Sequence, residues 1–467
     1  MSETGDIADV LVVGGGCAAL CAAIAARRSG ASVRMVEHAP AALRGGNARH
    51  ARNFRIMHDQ PEWYVPDTYG EDAFFRDLVR VTGGALDEPL ARILIRGSAA
   101  LAPWLGDNGV RLQDPSSGAM PYSRRTAFFL GGGKAMVNAL YATAIKLGVG
   151  ISYDSEVVAL TFGDSHCTAD IRRDGGIERT VAKTLVVCSG GHQANLGWLR
   201  ESFGPAADHF MIRGTPYDTG SVLRLLLDAG ARPVGDPRRA HMVAVDARGP
   251  KFDGGIVTRI TAIPHGIVVD RQAKRFHDEG EDARKTHFAR WGARIAECPD
   301  QIAWLILDAN GVGRALPTAL APIRADTIAA LATAIGLEPA ALQSTVNEFN
   351  AAAVADDDVP LNERSTTGLS PPKSRGAVAL TAPPFAAYPL RPGVTFTHYG
   401  VAVDDRLRVM KNDGKAMRNV FAAGMVMAAN VLGDGYLAGL GVSLSAVFGR
   451  LAGEQAARQA QSAVTPI

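Results

Sequence analysis

The chain has 467 residues, of which 47% are hydrophobic and 21% charged, and its formal net charge is +2. This length predicts two or three folding units with ample core, and the near-neutral charge gives no reason to expect nucleic-acid binding. The five cysteines are scattered and odd in number, so they indicate neither a disulfide framework nor an iron–sulfur or zinc site.

The first predicted elements form one strand–turn–helix–strand unit. Its segments are Val10–Val13, Gly14–Gly16, Cys17–Arg28 and Ser32–Val36. Gly14 permits a tight turn, Gly16 lets the backbone approach a pyrophosphate, and Ala19 keeps the helix close to the strand. Glu37 follows at the right distance to accept hydrogen bonds from a ribose. The unit predicts dinucleotide binding, and an acid at this position argues against a 2′-phosphate, which leaves FAD or NAD.

The same stretch is apolar enough to imitate a signal peptide or a membrane segment. Its glycines, the acidic Glu3 and Asp6 before it, and the lack of a basic leader argue against both. We therefore expect a cytoplasmic protein.

Apolar periodicity predicts further helices and strands along the chain. The predicted helices are Glu71–Val81, Glu88–Leu105, Lys134–Leu147, Ala283–Glu297, Ala325–Ala353 and Gly441–Gln455. The predicted strands are Ile151–Tyr153, Glu156–Leu160, Ala169–Arg173, Arg179–Val187, Gly266–Asp270 and Asn419–Met425. A run of prolines from Pro371 to Pro392 leads out of a less regular middle and is the best candidate for a domain boundary.

Two late strands favour FAD over NAD. Thr184–Cys188 and Asn419–Ala423 both end in small residues and glycine, which suits a backbone that passes close to a large cofactor. No second G-x-G-x-x-G follows a strand, although flavoproteins that use NAD(P)H often need one.

Six segments carry a resemblance over nearly the whole chain. They are VVGGGCAAL, GGKAMVNALYATAIKLGV, VVCSGG, DRQAKRFHDE, FAAGMV and AVFGRLAG. With them the chain resembles the fumarate reductase/succinate dehydrogenase flavoprotein superfamily. RGGNARHARNFRIMHD and NVLGDGYLAGLGVSLSAVFGRLAG are most similar to its tricarballylate dehydrogenase branch.

The resemblance implies an α/β fold, in which a Rossmann-like FAD-binding domain carries an inserted α+β clamp (capping) domain. The FAD-binding domain would comprise residues 1–240 and 395–467, and the clamp residues 241–394. Covalent members carry a histidine where this chain has Asn47, so we expect non-covalent FAD. The implied FAD contacts are Gly14, Gly16, Ala19, Glu37, Gly45, Gly46, Asn47, Val157, Gly190, Gly424, Gly441 and Ser443.

One departure and one physical argument bear on the flavin itself. The glutamate that usually follows the late glycine is Met425 here, which removes one expected hydrogen bond to the ribityl chain. Gly441 opens the last predicted helix, whose N-terminal dipole would stabilise negative charge on a reduced flavin.

Within the clamp, the resemblance transfers only part of the fumarate reductase machinery. Thr258 falls on a substrate-carboxylate threonine and His241 near a substrate-binding histidine, whereas Arg259 stands where a proton-relay glutamate is usual. We expect Arg259 to bind a substrate carboxylate, the alternative being a structural ion pair. The expected catalytic arginine is Arg284, at an offset of one residue, or else Arg290.

Three other positions argue against fumarate reduction. Ala262 replaces the relay arginine, Val431 replaces the arginine before L-G-G, and the late histidine is absent at Thr395–Phe396. His398 is displaced from that position. The sequence therefore favours a relative with different substrate contacts.

A basic cluster compensates for these losses. Arg49, His50, Arg52 and Arg55 lie within seven residues, and guanidinium groups bind carboxylates through two hydrogen bonds. We expect this cluster, with Arg52 and Arg55 as the candidates, to hold a substrate carboxylate; the alternative is contact with FAD phosphates or solvent. Tyr436 could act as acid or base near the flavin or only pack there.

The expected activity is oxidation of a C–C bond beside a carboxylate, from tricarballylate to cis-aconitate. A base would remove the α proton, hydride would pass to flavin N5, and cations would stabilise the enolate-like charge. Three alternatives stay open: a ketosteroid-dehydrogenase-like enzyme, a tetrapyrrole-oxidising component, and a non-catalytic electron carrier. The resemblance implies a separate membrane-bound iron–sulfur/haem partner, with a quinone as another acceptor, so the protein could be peripheral to the membrane.

Overall fold

The computed structural model describes residues 7–115, 125–281, 288–353 and 358–462. The chain divides into two compact units. Unit 1 comprises Met1–Leu199, Gly214–Ala240 and Phe396–Ile467, and unit 2 comprises Arg200–Arg213 and His241–Thr395.

The strands are numbered in chain order. They are β1 Ala8–Val13, β2 Val33–Val36, β3 Asn53–Arg55, β4 Leu112–Gln113, β5 Thr126–Phe129, β6 Gly150–Ser152, β7 Glu156–Phe162, β8 Cys167–Arg173, β9 Gly176–Val187, β10 Met211–Ile212, β11 Pro233–Asp246, β12 Ile267–Val269, β13 Ala303–Leu307, β14 Ile323–Ala325, β15 Phe385–Val401, β16 Arg408–Met410 and β17 Ala416–Ala422.

The helices follow the same convention. They are α1 Cys17–Arg28, α2 Glu71–Thr82, α3 Glu88–Ser98, α4 Leu101–Asp107, α5 Gly132–Lys146, α6 Leu196–Phe203, α7 Ser221–Asp228, α8 Phe288–Ala296, α9 Ala309–Arg314, α10 Ile328–Ile335, α11 Pro339–Ala352, α12 Ala429–Leu432 and α13 Leu440–Ser462. No helix of the described residues combines the length and apolarity that a membrane crossing needs.

Unit 1 is built on a sheet whose strand order is β16-β17-β9-β1-β2-β6. β1 runs parallel to both β2 and β9, and β17 runs parallel to β9. Strands buried on both faces of a parallel sheet read as continuous apolar runs, which explains the sequence of β1. The expected Rossmann-like α/β class is confirmed.

Two helices from opposite ends of the chain pack closely in unit 1. All residues from Cys17 to Ala26 of α1 are buried, and most of them are alanine. A Cβ built on Gly449 of α13 would lie 2.4 Å from the carbonyl oxygen of Ala18. One built on Gly453 would lie 2.2 Å from that of Ala22. Only glycine at these positions allows the two backbones to approach so closely.

Unit 2 contains a second sheet with the order β10-β15-β13-β12. β13 is antiparallel to both β12 and β15. One apolar cluster on this sheet includes residues of α10 and α11, and another includes Trp291 and Ile295 of α8. Each cluster buries one face of the strands.

Most predicted elements are confirmed, and the exceptions have physical causes. The bounds of α1 agree with the prediction, but the single helix predicted over Ala325–Ala353 is wrong. α10 ends at Gly336, whose φ of +73° is a left-handed conformation that stops a helix. The helix predicted over Glu88–Leu105 is likewise two helices, α3 and α4. The first residues of the helix predicted over Ala283–Glu297 lie outside the described residues.

The prolines that lead out of the middle of the chain fall into two groups. Pro371, Pro372, Pro383 and Pro384 lie outside helices and strands, as expected, whereas Pro389 and Pro392 lie in a strand that the sequence analysis does not predict. Residues Phe385–Val401 form the long strand β15, with Pro389 opposite Trp304 of β13. Proline lacks a donor, but its carbonyl still accepts, and that of Pro389 accepts from the backbone N–H of Ala247 at 2.9 Å.

The close packing of α1 and α13 makes a testable prediction. Gly453→Ala should lower the free energy of unfolding by about 1–3 kcal/mol, because the added methyl meets the Ala22 carbonyl. Gly106→Ala in α4 is the control: its Cβ meets nothing within 4 Å, so better helix propensity should leave stability equal or higher. Thermal unfolding monitored by circular dichroism measures both changes. A stabilising Gly453→Ala would contradict the packing argument.

Candidate functional site

The carboxyl ends of the parallel strands in unit 1 border a cleft of about 860 Å³. Residues that follow β1, β2, β9 and β17 line it, among them Gly14–Gly16, Glu37, Gly190 and Gly424. Open parallel sheets bind their ligands at this edge, and the N-terminus of α1 adds N–H groups and positive potential for phosphate. The cleft therefore has the position and polarity of a dinucleotide site.

The glycine turn after β1 is fixed by its neighbours. Gly14 has a φ of +114°, and a Cβ there would lie 2.4 Å from the carbonyl oxygen of Cys188. A Cβ on Gly15 would lie 2.2 Å from Oε2 of Glu37 and 2.4 Å from Oη of Tyr141. The middle glycine, which the motif leaves unspecified, is thus required by tertiary contacts.

Glu37 is held rigidly at the end of β2. Its Oε1 accepts a hydrogen bond from the backbone N–H of Ala39 at 2.7 Å, and the N–H of Gly15 also donates to the carboxylate. Burial raises the pKa of Glu37 to about 7, against these two hydrogen bonds. A buried carboxylate that lines the cleft and keeps acceptor capacity suits a ribose hydroxyl.

The sequence-predicted cofactor residues fall into two groups. Those that line the cleft are Gly14, Gly16, Glu37, Gly46, Asn47, Val157, Gly190 and Gly424. Those that do not line it are Ala19, Gly45, Gly441 and Ser443. All of these contacts with FAD stay predictions.

The second group has other neighbours. Ala19 is fully buried in α1, and a Cβ on Gly45 would lie 2.6 Å from the side chain of Val137. Ser443 is also buried, and its hydroxyl accepts from the backbone N–H of Arg55 at 2.9 Å and donates to that residue's carbonyl. Ser443 therefore ties α13 to β3.

The segment from Thr215 to Val222 lines the cleft and was missed by the sequence reasoning. Asp218 lies against the turn after β9, and its Oδ2 accepts from Nε2 of Gln193 at 2.7 Å. A Cβ on Gly190 would lie 2.7 Å from the other carboxylate oxygen. The available signal was a polar, glycine-containing run directly before the amphipathic α7.

Asn47 is the residue that the sequence resemblance sets where covalent flavoproteins carry a histidine. Its side-chain Oδ1 accepts from the backbone N–H of Thr215 at 2.9 Å. A Cβ on Gly214 would lie only 1.7 Å from this oxygen, so the amide packs directly on the backbone. The amide cannot form the histidyl bond, and non-covalent attachment stays a prediction.

Arg52 and Tyr436 interact electrostatically, and Tyr436 lies beside the start of α13. Burial lowers the pKa of Arg52, and Tyr436 acts in the opposite direction. A Cβ built on Gly441 would lie 3.8 Å from Oη of Tyr436 and 3.7 Å from Cε of Met425, which itself lines the cleft. Two residues that the sequence singled out separately are therefore brought together near the cofactor cleft.

An aromatic group adjoins this pair. The rings of Phe396 and Tyr436 have centroids 5.5 Å apart, and that of His398 lies 5.1 Å from Phe396. Burial lowers the pKa of His398 to about 4, so this histidine is neutral near pH 7. It contributes no cation for a substrate carboxylate.

Arg55 has protein partners. Its Nε donates to the carbonyl of Ala438 at 3.0 Å and its Nη1 to Oη of Tyr69 at 3.1 Å. The guanidinium also lies 5.4 Å from the ring of Tyr69. These contacts give a buried cation the partners it needs, and a substrate role for Arg55 stays a prediction.

Three candidate substrate-binding residues belong to unit 2. His241 is buried in β11, Arg259 pairs through its backbone with Val245, and Thr258 donates its hydroxyl to the carbonyl of Gly255 at 3.4 Å. Their substrate roles stay predictions.

Unit 2 contains the two candidate catalytic arginines, Arg284 and Arg290. The side chain of Arg290 is 65% exposed, and its Nη1 lies 4.0 Å from Oε1 of Glu281. Arg284 lies outside the described residues. Both catalytic assignments stay predictions.

The glycine turn, the buried acid and the cleft define a dinucleotide-binding protein. The family described as FAD binding domain matches residues 9–444, so the chain belongs to this family and its cofactor is FAD. NADH:fumarate oxidoreductase of Klebsiella pneumoniae (strain 342) is 26% identical over 482 residues, covering 97% of this chain and 48% of that protein. The chain thus spans about half the length of that relative.

Other relatives agree with this family. Fumarate reductase (cytochrome) of Shewanella frigidimarina is 26% identical over 468 residues, covering 97% of this chain and 77% of that protein. The open conformation of a flavocytochrome c3 fumarate reductase has a TM-score of 0.77 at 24% identity, covering 98% of this chain and 79% of that chain. The chain is therefore a member of the fumarate reductase/succinate dehydrogenase flavoprotein superfamily of FAD-dependent oxidoreductases.

The raised pKa of Glu37 predicts how FAD affinity depends on pH. A ribose hydroxyl donates best to the ionised carboxylate, so FAD binding to the apoprotein should release a proton below about pH 7. Affinity should then rise with pH by up to about tenfold per unit and level off above that value. Glu37→Gln should weaken binding by about 1–3 kcal/mol and abolish the slope. Fluorescence titration of apoprotein with FAD measures both; equal slopes in the two proteins would exclude Glu37 as the ribose acid.

Proposed function

We propose that the protein is an FAD-dependent dehydrogenase that oxidises a C–C single bond next to a carboxylate, with tricarballylate as substrate and cis-aconitate as product. The observation that carries the proposal is Arg52, a half-buried guanidinium beside Tyr436 and the start of α13. Across the described ranges it makes no ion pair with a carboxylate. A poorly solvated cation in that position is ready to bind an anionic substrate.

The names of related proteins support this substrate class. They include NADH:acrylate oxidoreductase of Vibrio harveyi and 4-oxocyclohexanecarboxylate 2-dehydrogenase of Sinomonas cyclohexanicum. The latter is 25% identical and covers 96% of this chain and 93% of that protein. Fumarate, acrylate and oxocyclohexanecarboxylate are all small carboxylates, which agrees with a basic substrate site.

The proposed roles follow from the chemistry of the C–H bond. FAD supplies the hydride acceptor when it is bound. Removal of the proton α to a carboxylate leaves enolate-like charge, so that step needs a base and a nearby cation. Tyr436, as the phenolate, would take the proton on Oη, and Arg52 would hold the carboxylate.

Residues of unit 2 have proposed roles of their own. Arg284 would stabilise the developing charge, with Arg290 as the second candidate. His241, Thr258 and Arg259 would bind substrate carboxylates. In unit 1, Arg55 would add positive charge. A tricarboxylate needs several such groups because desolvating three negative charges is costly.

The choice of tricarballylate over succinate rests on the missing fumarate-type cations. Val431 stands where an arginine is usual, and it is fully buried in α12. Its burial supports the view that this position has lost its contact with a carboxylate. Arg52 and Arg55 would supply the lost charge.

A second candidate is dehydrogenation beside a ketone on an apolar substrate. The rings of Phe396 and Tyr436 would favour such a substrate. A 3-ketosteroid Δ1-dehydrogenase from Sterolibacterium denitrificans has a TM-score of 0.75 at 19% identity, covering 97% of this chain and 100% of that chain, which supports the shared fold alone.

We also propose that electrons leave through a separate redox partner or a quinone. The five cysteines are unpaired thiols, and the described residues contain no cluster of three or more histidine, cysteine or acidic groups that could hold a metal. Related proteins are described as a fumarate reductase (cytochrome) and a quinol-fumarate reductase with menaquinol, which supports both routes.

The substrate can be tested directly with the bound flavin. Anaerobic addition of tricarballylate should bleach the flavin absorbance, and succinate should do so at least about tenfold more slowly, since one missing charge contact is worth more than 1.4 kcal/mol. A steroid ketone should have no effect. Bleaching by succinate alone would contradict the substrate, bleaching by the ketone alone would favour the second candidate, and bleaching by dithionite only would indicate an electron carrier.

Kinetics of three variants separates binding from chemistry. Arg52→Lys should mainly raise KM, because a lost carboxylate fork weakens ground-state and transition-state binding alike. Tyr436→Phe should lower kcat by about 100-fold or more with little change in KM, the effect of losing a positioned proton acceptor. The exposed Arg418→Lys is the control and should change neither. If Tyr436→Phe keeps the wild-type kcat, Tyr436 is not the base, and Arg284→Lys is the next variant to measure.

A further inference from the structure

A second pocket of unit 1 lies outside the flavin cleft and has a strongly basic lining. It is open to solvent, has about 800 Å³ of free space, and shares no lining residue with the cleft. Its lining residues are Ala41, Ala42, Arg44, Arg49, His50, Lys134, Val137 and Asn138. Half of these side chains are basic, and none is a carboxylate.

Arg44 is fixed in this pocket by neutral groups. Its guanidinium lies 4.8 Å from the ring of Tyr141 and 6.0 Å from that of Tyr153. Its Nη1 donates to the carbonyl of Ala41 at 2.7 Å and its Nη2 to Oδ1 of Asn138 at 3.2 Å. Because none of these partners is an anion, they orient the guanidinium without neutralising its charge.

Two further cations reach the same pocket. Arg49 lines the pocket and donates from Nη1 to the carbonyl of Leu43 at 3.2 Å. Lys134 is exposed on the first turn of α5, at the end of the helix where the dipole is positive. The basic cluster of the sequence is therefore divided: Arg49 and His50 line this pocket, whereas Arg52 lies beside Tyr436.

We propose that this pocket is an anion-binding site, separate from the flavin cleft, for a small molecule that carries phosphate or clustered carboxylate groups. Planar guanidinium forks bind both kinds of group through paired hydrogen bonds, and a lysine adds a mobile point charge. The site also has a physical link to the cleft. Tyr141, on which Arg44 stacks, donates its hydroxyl to the carbonyl of Gly15 in the glycine turn at 2.9 Å.

Calorimetric titration of the FAD-loaded protein with inorganic diphosphate tests the site, at constant ionic strength set with sodium chloride. We expect one saturable site per chain. Lys134→Gln and Arg49→Gln should each weaken it by at least about fivefold, as expected for the loss of one charge-assisted contact. Lys146→Gln is the matched control, because Lys146 is exposed at the other end of the same helix and outside the pocket. A parallel titration with citrate distinguishes a carboxylate ligand from a phosphate ligand. The anion that binds more tightly, and whose binding weakens in Lys134→Gln, identifies the class of ligand.

Three results would overturn the proposal. The first is no saturable binding of either anion. The second is equal weakening by Lys134→Gln and Lys146→Gln, which would mean general screening of surface charge. The third is loss of flavin absorbance from Arg49→Gln or Lys134→Gln, which would assign the cluster to the cofactor site. Binding of either anion that is lost in Lys134→Gln and Arg49→Gln with full flavin content, and kept in Lys146→Gln, supports it.

Discussion

The close approach of α1 and α13 is the constraint on which unit 1 depends. These helices come from opposite ends of the chain, and they touch through glycine and alanine, with the glycines of α13 against carbonyl oxygens of α1. α1 begins at the glycine turn, and α13 begins beside Tyr436. The packing of these two helices therefore fixes the positions of both the glycine turn and Tyr436. The small residues of the first sequence motif thus serve the helix contact as well as the cofactor.

The glycine turn shows how one tertiary contact serves several purposes. Gly15 has no side chain, so the carboxylate of Glu37 and the hydroxyl of Tyr141 can approach the turn closely. The same arrangement buries Glu37 and raises its pKa to about 7. Tyr141 then connects the turn to Arg44, and through it to the basic pocket. Cofactor binding and anion binding are therefore joined by a short chain of direct contacts.

Membership of the family defines the cofactor, whereas substrate specificity depends on a few side chains. Reductases and dehydrogenases share this fold, since forming or removing a C–C double bond uses the same positions of proton and hydride. What separates them is the arrangement of cations and of the proton acceptor. In unit 1 the leading candidates are Arg52 and Tyr436; the guanidinium of Arg55 already donates to Ala438 and Tyr69, and His398 is neutral. Substitution of these two residues therefore gives the sharpest tests of the proposed chemistry.

The sequence by itself determined the first βαβ unit, the FAD family and the place of Glu37 at the end of β2. These features depend on local periodicity and on glycines close together in the chain. The sequence did not determine that Thr215–Val222 lines the cleft or that β15 runs through its prolines. Nor could it separate Arg49 and His50 from Arg52, although they lie within four residues. Tertiary structure decided these points, because which neighbours surround a side chain, and how far it is buried, depends on segments hundreds of residues away.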